Sequence, residues 1–110
     1  MDLGKFSISL NVKDIEKSLA FYQQLGFSQI AGELAQNWVI LENGEAKIGL
    51  FEGMFDKNIM TFNPANIKPI QEKLAENGID FGQNISGQDW PNMALFTDPD
   101  GNQILIDQHG

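Results

Sequence analysis

The feature that most constrains the fold is an internal repeat. Three pairs of residues suited to helix boundaries or helix faces recur at one spacing, because the differences 66 − 14, 67 − 15 and 78 − 26 all equal 52. The pairs are Asp14 with Asn66, Ile15 with Ile67, and Gly26 with Gly78. The pattern of each copy of the repeat predicts one strand, one helix and three further strands. One copy alone cannot bury both faces of a sheet, so we expect the two to pack together in an α+β fold.

The first module, residues 4–53, has a clear pattern. Apolar and polar residues alternate from 4 to 12, which predicts a strand with one buried face. Asp14 is placed to cap a helix that runs to about Leu25 and ends at Gly26. The strands that follow are predicted at 27–34 and 36–41, with a bend at Ala31-Gly32, and at 46–51 after an Asn43-Gly44 hairpin.

The second module, residues 58–109, repeats this order after a connector at 53–58. A strand is predicted at 59–63, followed by a helix capped by Asn66 or Asn63 and ended by Asn77-Gly78. Further strands are predicted near Ile79 to Phe81, at 93–97 and at 103–107. The last two are joined by Asp98-Pro99-Asp100-Gly101, in which proline presets φ and glycine accepts positive φ.

Length and charge narrow the functional classes. A chain of 110 residues predicts a single domain, 1–110. The absence of cysteine excludes disulfides, thiolate metal ligands and a cysteine nucleophile. A formal net charge of −8 disfavours nucleic acid as a partner. With neither a membrane-length apolar run nor a signal-peptide pattern, the sequence predicts a cytoplasmic protein that does not bind membranes.

Two stretches have the pattern of a known family. One is Asp98-Pro99-Asp100-Gly101-Asn102 with its following apolar strand, and the other combines Phe21-Tyr22 with Leu25-Gly26-Phe27. Both resemble the vicinal oxygen chelate superfamily, which includes glyoxalase I, bleomycin-resistance proteins and extradiol dioxygenases. The resemblance covers essentially the whole chain. It implies two βαβββ modules forming a curled mixed sheet, a cup-shaped open barrel, completed either within one chain or across a homodimer. We expect a homodimer.

The resemblance also implies where a metal would be bound, because metal-containing members use one cup-facing residue from each of four strands. The matching positions here are Ser7, Gly49, Ile59 and Leu105. Three of these residues have no side-chain donor, and one serine hydroxyl is insufficient for a divalent ion. We therefore expect neither a metal nor another cofactor. The one histidine, His109, is expected to be a solvated and frayed tail residue.

The predicted ligand-binding residues are those that strand alternation directs into the cup, together with two tryptophans that offer flat surfaces at its mouth. The tryptophans have an alternative role as core or dimer-interface residues. The set is Ser7, Ser9, Asn11, Trp38, Phe51, Ile59, Thr61, Trp90, Leu105 and Asp107. Gly49 and Asn63 share the inward direction.

The sequence leaves three functions open. The favoured hypothesis is a metal-free protein that sequesters a planar or cationic small molecule, as the resemblance to bleomycin-resistance proteins implies. The alternative is an enzyme of lyase, isomerase or dioxygenase type, with Asp107 as general base and Asn11 or Ser7 positioning the substrate, or with a displaced metal site. A protein-interaction role is the third.

Overall fold

The computed structural model describes residues 1–79 and 93–109 and has an α+β fold. The chain divides into two compact units, an N-terminal unit (Ser7–Asn58) and a C-terminal unit (Met1–Phe6 with Ile59–Gly110). No helix among the described residues has the length and apolar character needed to cross a membrane.

The N-terminal unit is a four-stranded mixed sheet with one helix. Its strands follow the order β2-β3-β4-β1, with β1 parallel to β4 and the other neighbours antiparallel. The elements are β1 (Lys5–Val12), α1 (Ile15–Gln24), β2 (Ser28–Glu33), a short 3₁₀ turn (Leu34–Gln36), β3 (Trp38–Asn43) and β4 (Ala46–Glu52).

One face of this sheet is covered by α1. Ile15 and Leu19 of the helix are buried in a cluster with Val39, Leu41 and Leu50. The helix begins where the sequence predicted, because the Asp14 carboxylate accepts a hydrogen bond from Lys17 N at 3.2 Å. Burial of alternate strand residues against α1 leaves the intervening ones on the opposite, helix-free face.

The predicted bend at Ala31-Gly32 is wrong. β2 continues through Gly32 to Glu33, and the chain turns in the 3₁₀ segment that follows, which ends at Asn37 with a φ of 66°. Gly32 has a φ of 87°, and a Cβ there would lie 2.5 Å from Trp38 O. The glycine is therefore needed for the close approach of β3 within the sheet and does not mark a turn.

The C-terminal unit contains β5 (Ile59–Asn63), α2 (Lys68–Glu76), β6 (Met93–Thr97) and β7 (Gln103–Asp107). β5 is parallel to β7, which is antiparallel to β6. The helix packs on one face of these strands in a cluster of buried residues: Ile67, Ile70, Leu74, Ala94 and Ile106.

The predicted cap of α2 is also wrong. Ile67 is the N-cap and makes no side-chain capping bond. Asn66 Oδ1 instead accepts from Lys68 N at 3.2 Å, and Asn63 donates its amide hydrogen to Asp107 O at 3.0 Å. Proline occupies the first turn, where a missing N–H is tolerated, and it helps to set the helix start.

The turn between β6 and β7 has the predicted form. Gly101 has a φ of 88°, and its N–H donates to Asp98 O at 3.0 Å. Asp98 Oδ1 accepts from the N–H groups of Asp100 and Asn102, both at 2.9 Å. Of the predicted strand near residues 79–81, Ile79 belongs to no strand; the other two residues, like Trp90, lie outside the described residues.

Candidate ligand-binding site

The helix-free face of the N-terminal unit brings several predicted ligand-binding residues together. Phe51 of β4 is the register partner of Asn11 in β1 and of Trp38 in β3. Two residues earlier on β4, Gly49 faces Ser9 on one side and Ile40 on the other. The parallel pairing of β1 with β4 therefore sets polar side chains beside an aromatic pair.

Three aromatic rings form a continuous surface here. The rings of Trp38 and Phe51 are nearly parallel, 8° apart in orientation, with centroids 6.4 Å apart. Phe55, in the connector after β4, is tilted by 51° against Phe51 at 5.3 Å. All three side chains are half-buried. Rings in this arrangement present flat apolar area and a negative π-face to a bound molecule.

Phe51 also limits the size of the side chain that position 49 can accommodate. A Cβ at Gly49 would lie 2.6 Å from Phe51 Cε2 and 3.2 Å from Ile40 Cδ1. The ring therefore covers the backbone at this position, and a larger residue would displace it from its stack with Trp38. Phe51 thus occupies the space into which a side chain at position 49, which the resemblance matches to a metal ligand, would project.

The residues at the four positions that the resemblance matches to metal ligands do not fit a metal ion. Ser7, Gly49, Ile59 and Leu105 together offer one hydroxyl, whereas divalent ions require several nitrogen, sulfur or carboxylate donors. Within residues 1–79 and 93–109, no three His, Cys, Asp or Glu side chains are grouped to hold a metal. The donor chemistry gives no basis for a metal-dependent step.

A cleft of about 480 Å³ lies beside the aromatic rings, at the ends of β1 and β4. Phe55 lines it and links it to the ring surface. It carries both signs of charge, with one lysine and two acidic residues in its wall. The lining is Asn11, Val12, Lys13, Glu52, Gly53, Met54, Phe55 and Asp56.

Asn11 shapes this cleft through its hydrogen bonds to the connector. Its backbone N–H donates to Asn58 Oδ1 at 2.9 Å, and its side-chain amide donates to Asp56 O at 3.2 Å. These two hydrogen bonds hold Asp56, in the connector, and Asn58, at its end, against the C-terminal end of β1. The sequence predicted Asn11 as a ligand-binding residue, and its described contacts give it the further role of positioning the segment that contains Phe55.

The remaining predicted residues lie in the C-terminal unit. Ile59, Thr61, Leu105 and Asp107 occupy the sheet face opposite α2, because Phe62 and Ile106 pack toward that helix. Ile59 and Thr61 are buried, whereas Leu105 and Asp107 are half-buried. Strand alternation therefore assigned their faces correctly within this unit.

The expectation that His109 is frayed is wrong. Its backbone N–H donates to Pro64 O at 2.9 Å, and its ring Nε2 lies 3.3 Å from Asp107 Oδ2. The ring itself is 64% exposed. The two-residue separation would place both side chains on one face of an extended strand, which is the sequence signal that could have indicated this pair.

A second pair of contacts follows the repeat and was not predicted. Glu52 Oε1 accepts from the N–H of Ile15 at the start of α1, and Gln108 Oε1 accepts from the N–H of Ile67 at the start of α2. Both distances are 2.9 Å. Each helix start is therefore bound by a polar side chain at or just beyond the end of the unit's last strand.

A βαβββ unit together with a second unit whose described elements are βαββ has the α+β organisation of a glyoxalase-like fold. The sequence profile of the Glyoxalase/Bleomycin resistance protein/Dioxygenase superfamily matches residues 6–106, and the chain belongs to that superfamily. Among curated protein sequences no significant match was found.

Solved structures show the same fold at low sequence identity. A superfamily member from Vibrio splendidus 12B01 has a TM-score of 0.74 and 17% identity, with 96% of this chain and 98% of that chain covered. A protein from Legionella pneumophila named NAD-dependent benzaldehyde dehydrogenase has a TM-score of 0.74 and 16% identity, covering 96% and 99%. A hypothetical protein from Bacillus halodurans C-125 has a TM-score of 0.71 and 18% identity, covering 94% and 92%.

Proposed function

We propose that this protein binds a small molecule with a flat apolar body, without a metal, on the ring surface of its N-terminal unit. The observation that carries the proposal is the parallel pair of Trp38 and Phe51, extended by Phe55 to the wall of the cleft. Superfamily membership supports small-molecule chemistry in general, and the ring surface supports this ligand class in particular.

The charge around the rings favours a ligand that is also cationic. Asp56 is exposed in the cleft wall, and the chain as a whole carries a formal net charge of −8. A cation over an aromatic face gains about 0.5–2 kcal/mol, more when water is excluded. An amine or amidinium attached to a planar body would combine this attraction with stacking.

The test compares two probes of one shape. 9-Aminoacridine is flat and cationic at neutral pH, and acridine is equally flat and neutral. Titration calorimetry should show binding of both, with tighter binding of 9-aminoacridine. Phe51→Leu should weaken both by about three- to tenfold, since a stacked aromatic pair contributes about 0.5–1.5 kcal/mol beyond burial. Leucine keeps apolar bulk over Gly49.

The matched control is Phe27→Leu, which removes a half-buried ring on the α1 side of the same unit. It should lower stability and leave both affinities unchanged. Asp56→Asn should weaken 9-aminoacridine alone, because only the charge changes while the Asp56 carbonyl keeps its bond from Asn11. Equal losses for Phe27→Leu and Phe51→Leu, or no binding of either probe, would contradict the proposal.

An enzymatic alternative is supported by the contact between Asp107 and His109. A carboxylate 3.3 Å from an imidazole nitrogen can hold the ring in the orientation a general base requires. Mass spectrometry separates the two functions once a ligand has been captured from cell extract. Sequestration returns the ligand unchanged after long incubation, whereas catalysis converts it in the wild type and not in Asp107→Asn.

A further inference from the structure

Glu52 has a carboxylate oxygen that the fold leaves available in the cleft. Its Oε1 accepts from the N–H of Ile15 at 2.9 Å, which fixes the orientation of the group. Its Oε2 has no hydrogen-bond partner within residues 1–79 and 93–109, and it is not enclosed, since no fully buried side-chain oxygen there lacks a partner. Glu52 is half-buried and lines the cleft. A carboxylate held in one orientation is a preorganised acceptor for a charged donor.

Lys13 is the basic residue of the same cleft wall. Val12 is the register partner of Glu52, so Lys13 directly follows the residue that lies beside this acidic position. The two charged groups nevertheless form no ion pair, and Lys13 has no ion-pair partner in the part of the chain that the structure describes. Two opposite charges on neighbouring strand ends therefore line one cleft without neutralising each other directly.

We propose that the cleft recognises an α-amino acid group, whose ammonium is bound by Glu52 Oε2 and whose carboxylate is bound by the Lys13 ammonium. This inference rests on the proposed function, because the flat body that carries the group lies on the ring surface of Trp38, Phe51 and Phe55. Phe55 contacts Phe51 and also lines the cleft, so one molecule can reach both parts of the site. The ligand class is an aromatic α-amino acid or a flat molecule that ends in one.

The charges of the cleft favour a zwitterionic group over either single charge. An anion alone is repelled by a chain with a formal net charge of −8 and by two carboxylates in the same wall, Glu52 and Asp56. An amine alone is attracted by these carboxylates but repelled by the ammonium of Lys13. A carboxylate beside the amine converts that repulsion into attraction. A ligand without net charge also approaches the acidic protein without repulsion from its overall field.

Four probes that share one indole ring separate the two charges. Free L-tryptophan carries an ammonium and a carboxylate, tryptamine only the ammonium, indole-3-propionate only the carboxylate, and 3-methylindole neither. Titration calorimetry should show L-tryptophan binding about two- to fivefold more tightly than tryptamine, the range of an exposed ion pair. Tryptamine should bind about tenfold more tightly than 3-methylindole, since hydrogen bonds between charged groups are stronger than neutral ones.

Two isosteric variants assign each charge to its residue. Glu52→Gln keeps an acceptor for Ile15 N and removes the carboxylate, so it should weaken L-tryptophan and tryptamine by about tenfold and leave 3-methylindole unchanged. Lys13→Gln should abolish the advantage of L-tryptophan over tryptamine. The matched controls are Glu45→Gln in the β3–β4 turn and Lys57→Gln in the connector, which make the same charge changes at exposed positions outside the cleft wall. Both controls should preserve the order of the four probes.

The NMR signal of the Ile15 amide locates the ammonium. An ammonium at Oε2 draws negative charge from the carboxylate that accepts from this amide, so L-tryptophan and tryptamine should shift the signal much more than 3-methylindole does. Circular dichroism checks the folding of each variant.

The outcomes separate this inference from the proposed function. Equal affinities for L-tryptophan and tryptamine in the wild type, or equal effects of Lys13→Gln and Lys57→Gln, would overturn the inference alone, provided that 3-methylindole or acridine still binds and is weakened by Phe51→Leu. No binding of any indole or acridine probe would overturn both.

Discussion

The contact between Glu52 and the start of α1 leads to a quantitative stability prediction. Ile15 is 4% exposed, and its N–H has Glu52 Oε1 as acceptor at 2.9 Å. Glu52→Ala removes that acceptor from a part-buried donor. A hydrogen bond to a charged group contributes about 1.5–3 kcal/mol, so we expect the free energy of unfolding to fall by about 2–3 kcal/mol.

Glu52→Gln separates the contribution of the hydrogen bond from that of the negative charge. The amide oxygen can still accept from Ile15 N, and only the attraction between a carboxylate and the helix N-terminus is lost. That attraction is about 0.3–1 kcal/mol and is screened by salt. The cost of Glu52→Gln should therefore be several times smaller than that of Glu52→Ala and should shrink further in about 1 M salt.

The repeat provides a reciprocal experiment in the same protein. Gln108 already binds Ile67 N through a neutral amide, so Gln108→Ala should cost about 1–2 kcal/mol, less than Glu52→Ala. Gln108→Glu adds a carboxylate at the start of α2 and should stabilise by about 0.3–1 kcal/mol. The order of stability is then Gln108→Glu, wild type, Glu52→Gln, Gln108→Ala and Glu52→Ala.

Urea unfolding measures this order, provided that the dependence of the free energy of unfolding on urea concentration is the same in all variants. With a slope of about 1–3 kcal/mol/M, a loss of 2 kcal/mol lowers the midpoint by roughly 1 M. Glu72→Ala and Glu72→Gln are the controls, since Glu72 is exposed in the middle of α2 and should tolerate both changes. A midpoint for Glu52→Ala within error of the wild type would show that water satisfies the N–H of Ile15 and that the contact with Glu52 adds no stability.

Three further predictions concern the closing turn and the absence of metal donors. Gly101→Val should lower the free energy of unfolding by about 1–3 kcal/mol. The cost comes from the φ of 88° alone, because an added Cβ would meet nothing within 4 Å. Asp100→Asn should cost far less, and equal melting temperatures for the two variants would contradict this prediction. The pKa of Asp98 is held below its ordinary value of 3.8 by hydrogen bonds, first from the Asn102 side chain and then from the backbone N–H groups of Asn102, Asp100 and Gly101. The stability that the ionised Asp98 contributes is therefore present above pH 3.8 and is lost as the pH falls through the folded-state pKa. A carboxyl NMR titration should show this, and Asn102→Ala should move the pKa back toward 3.8. Protein dialysed extensively should contain no stoichiometric divalent metal by elemental analysis, and about one zinc, nickel, iron or manganese per chain would refute the reading of the four ligand positions.

Local chemistry made several features predictable from the sequence. Asp14 caps α1 because a short carboxylate reaches a nearby N–H, and Gly101 takes positive φ because the turn type requires it. Strands β6 and β7 were predicted at their observed bounds, since the turn fixes both. The cap bond and the turn each join residues within four positions, and that turn sets the pairing of the two strands, so a short stretch of sequence contains the cause.

The features that were missed depend on residues far apart in the chain. Gly32 looked like a turn because the approach of Trp38 from β3 is not visible in the sequence. Phe55 appeared to be part of a plain connector, because its contact with Phe51 depends on how Asn11 holds the segment between them. Glu52 and Gln108 bind helix starts 37 and 41 positions away, and no local pattern signals such contacts.

The ring of Phe51 over Gly49 restricts the order in which this chain can change during evolution. A glutamate introduced at Gly49 while Phe51 is present would force the ring out of its stack with Trp38, so that substitution is disfavoured as a first step. The same glutamate becomes tolerable after Phe51 has been replaced by a smaller residue. The Phe51 ring and a side chain at position 49 therefore exclude one another, so the aromatic pair has to be lost before a carboxylate can be placed at that position.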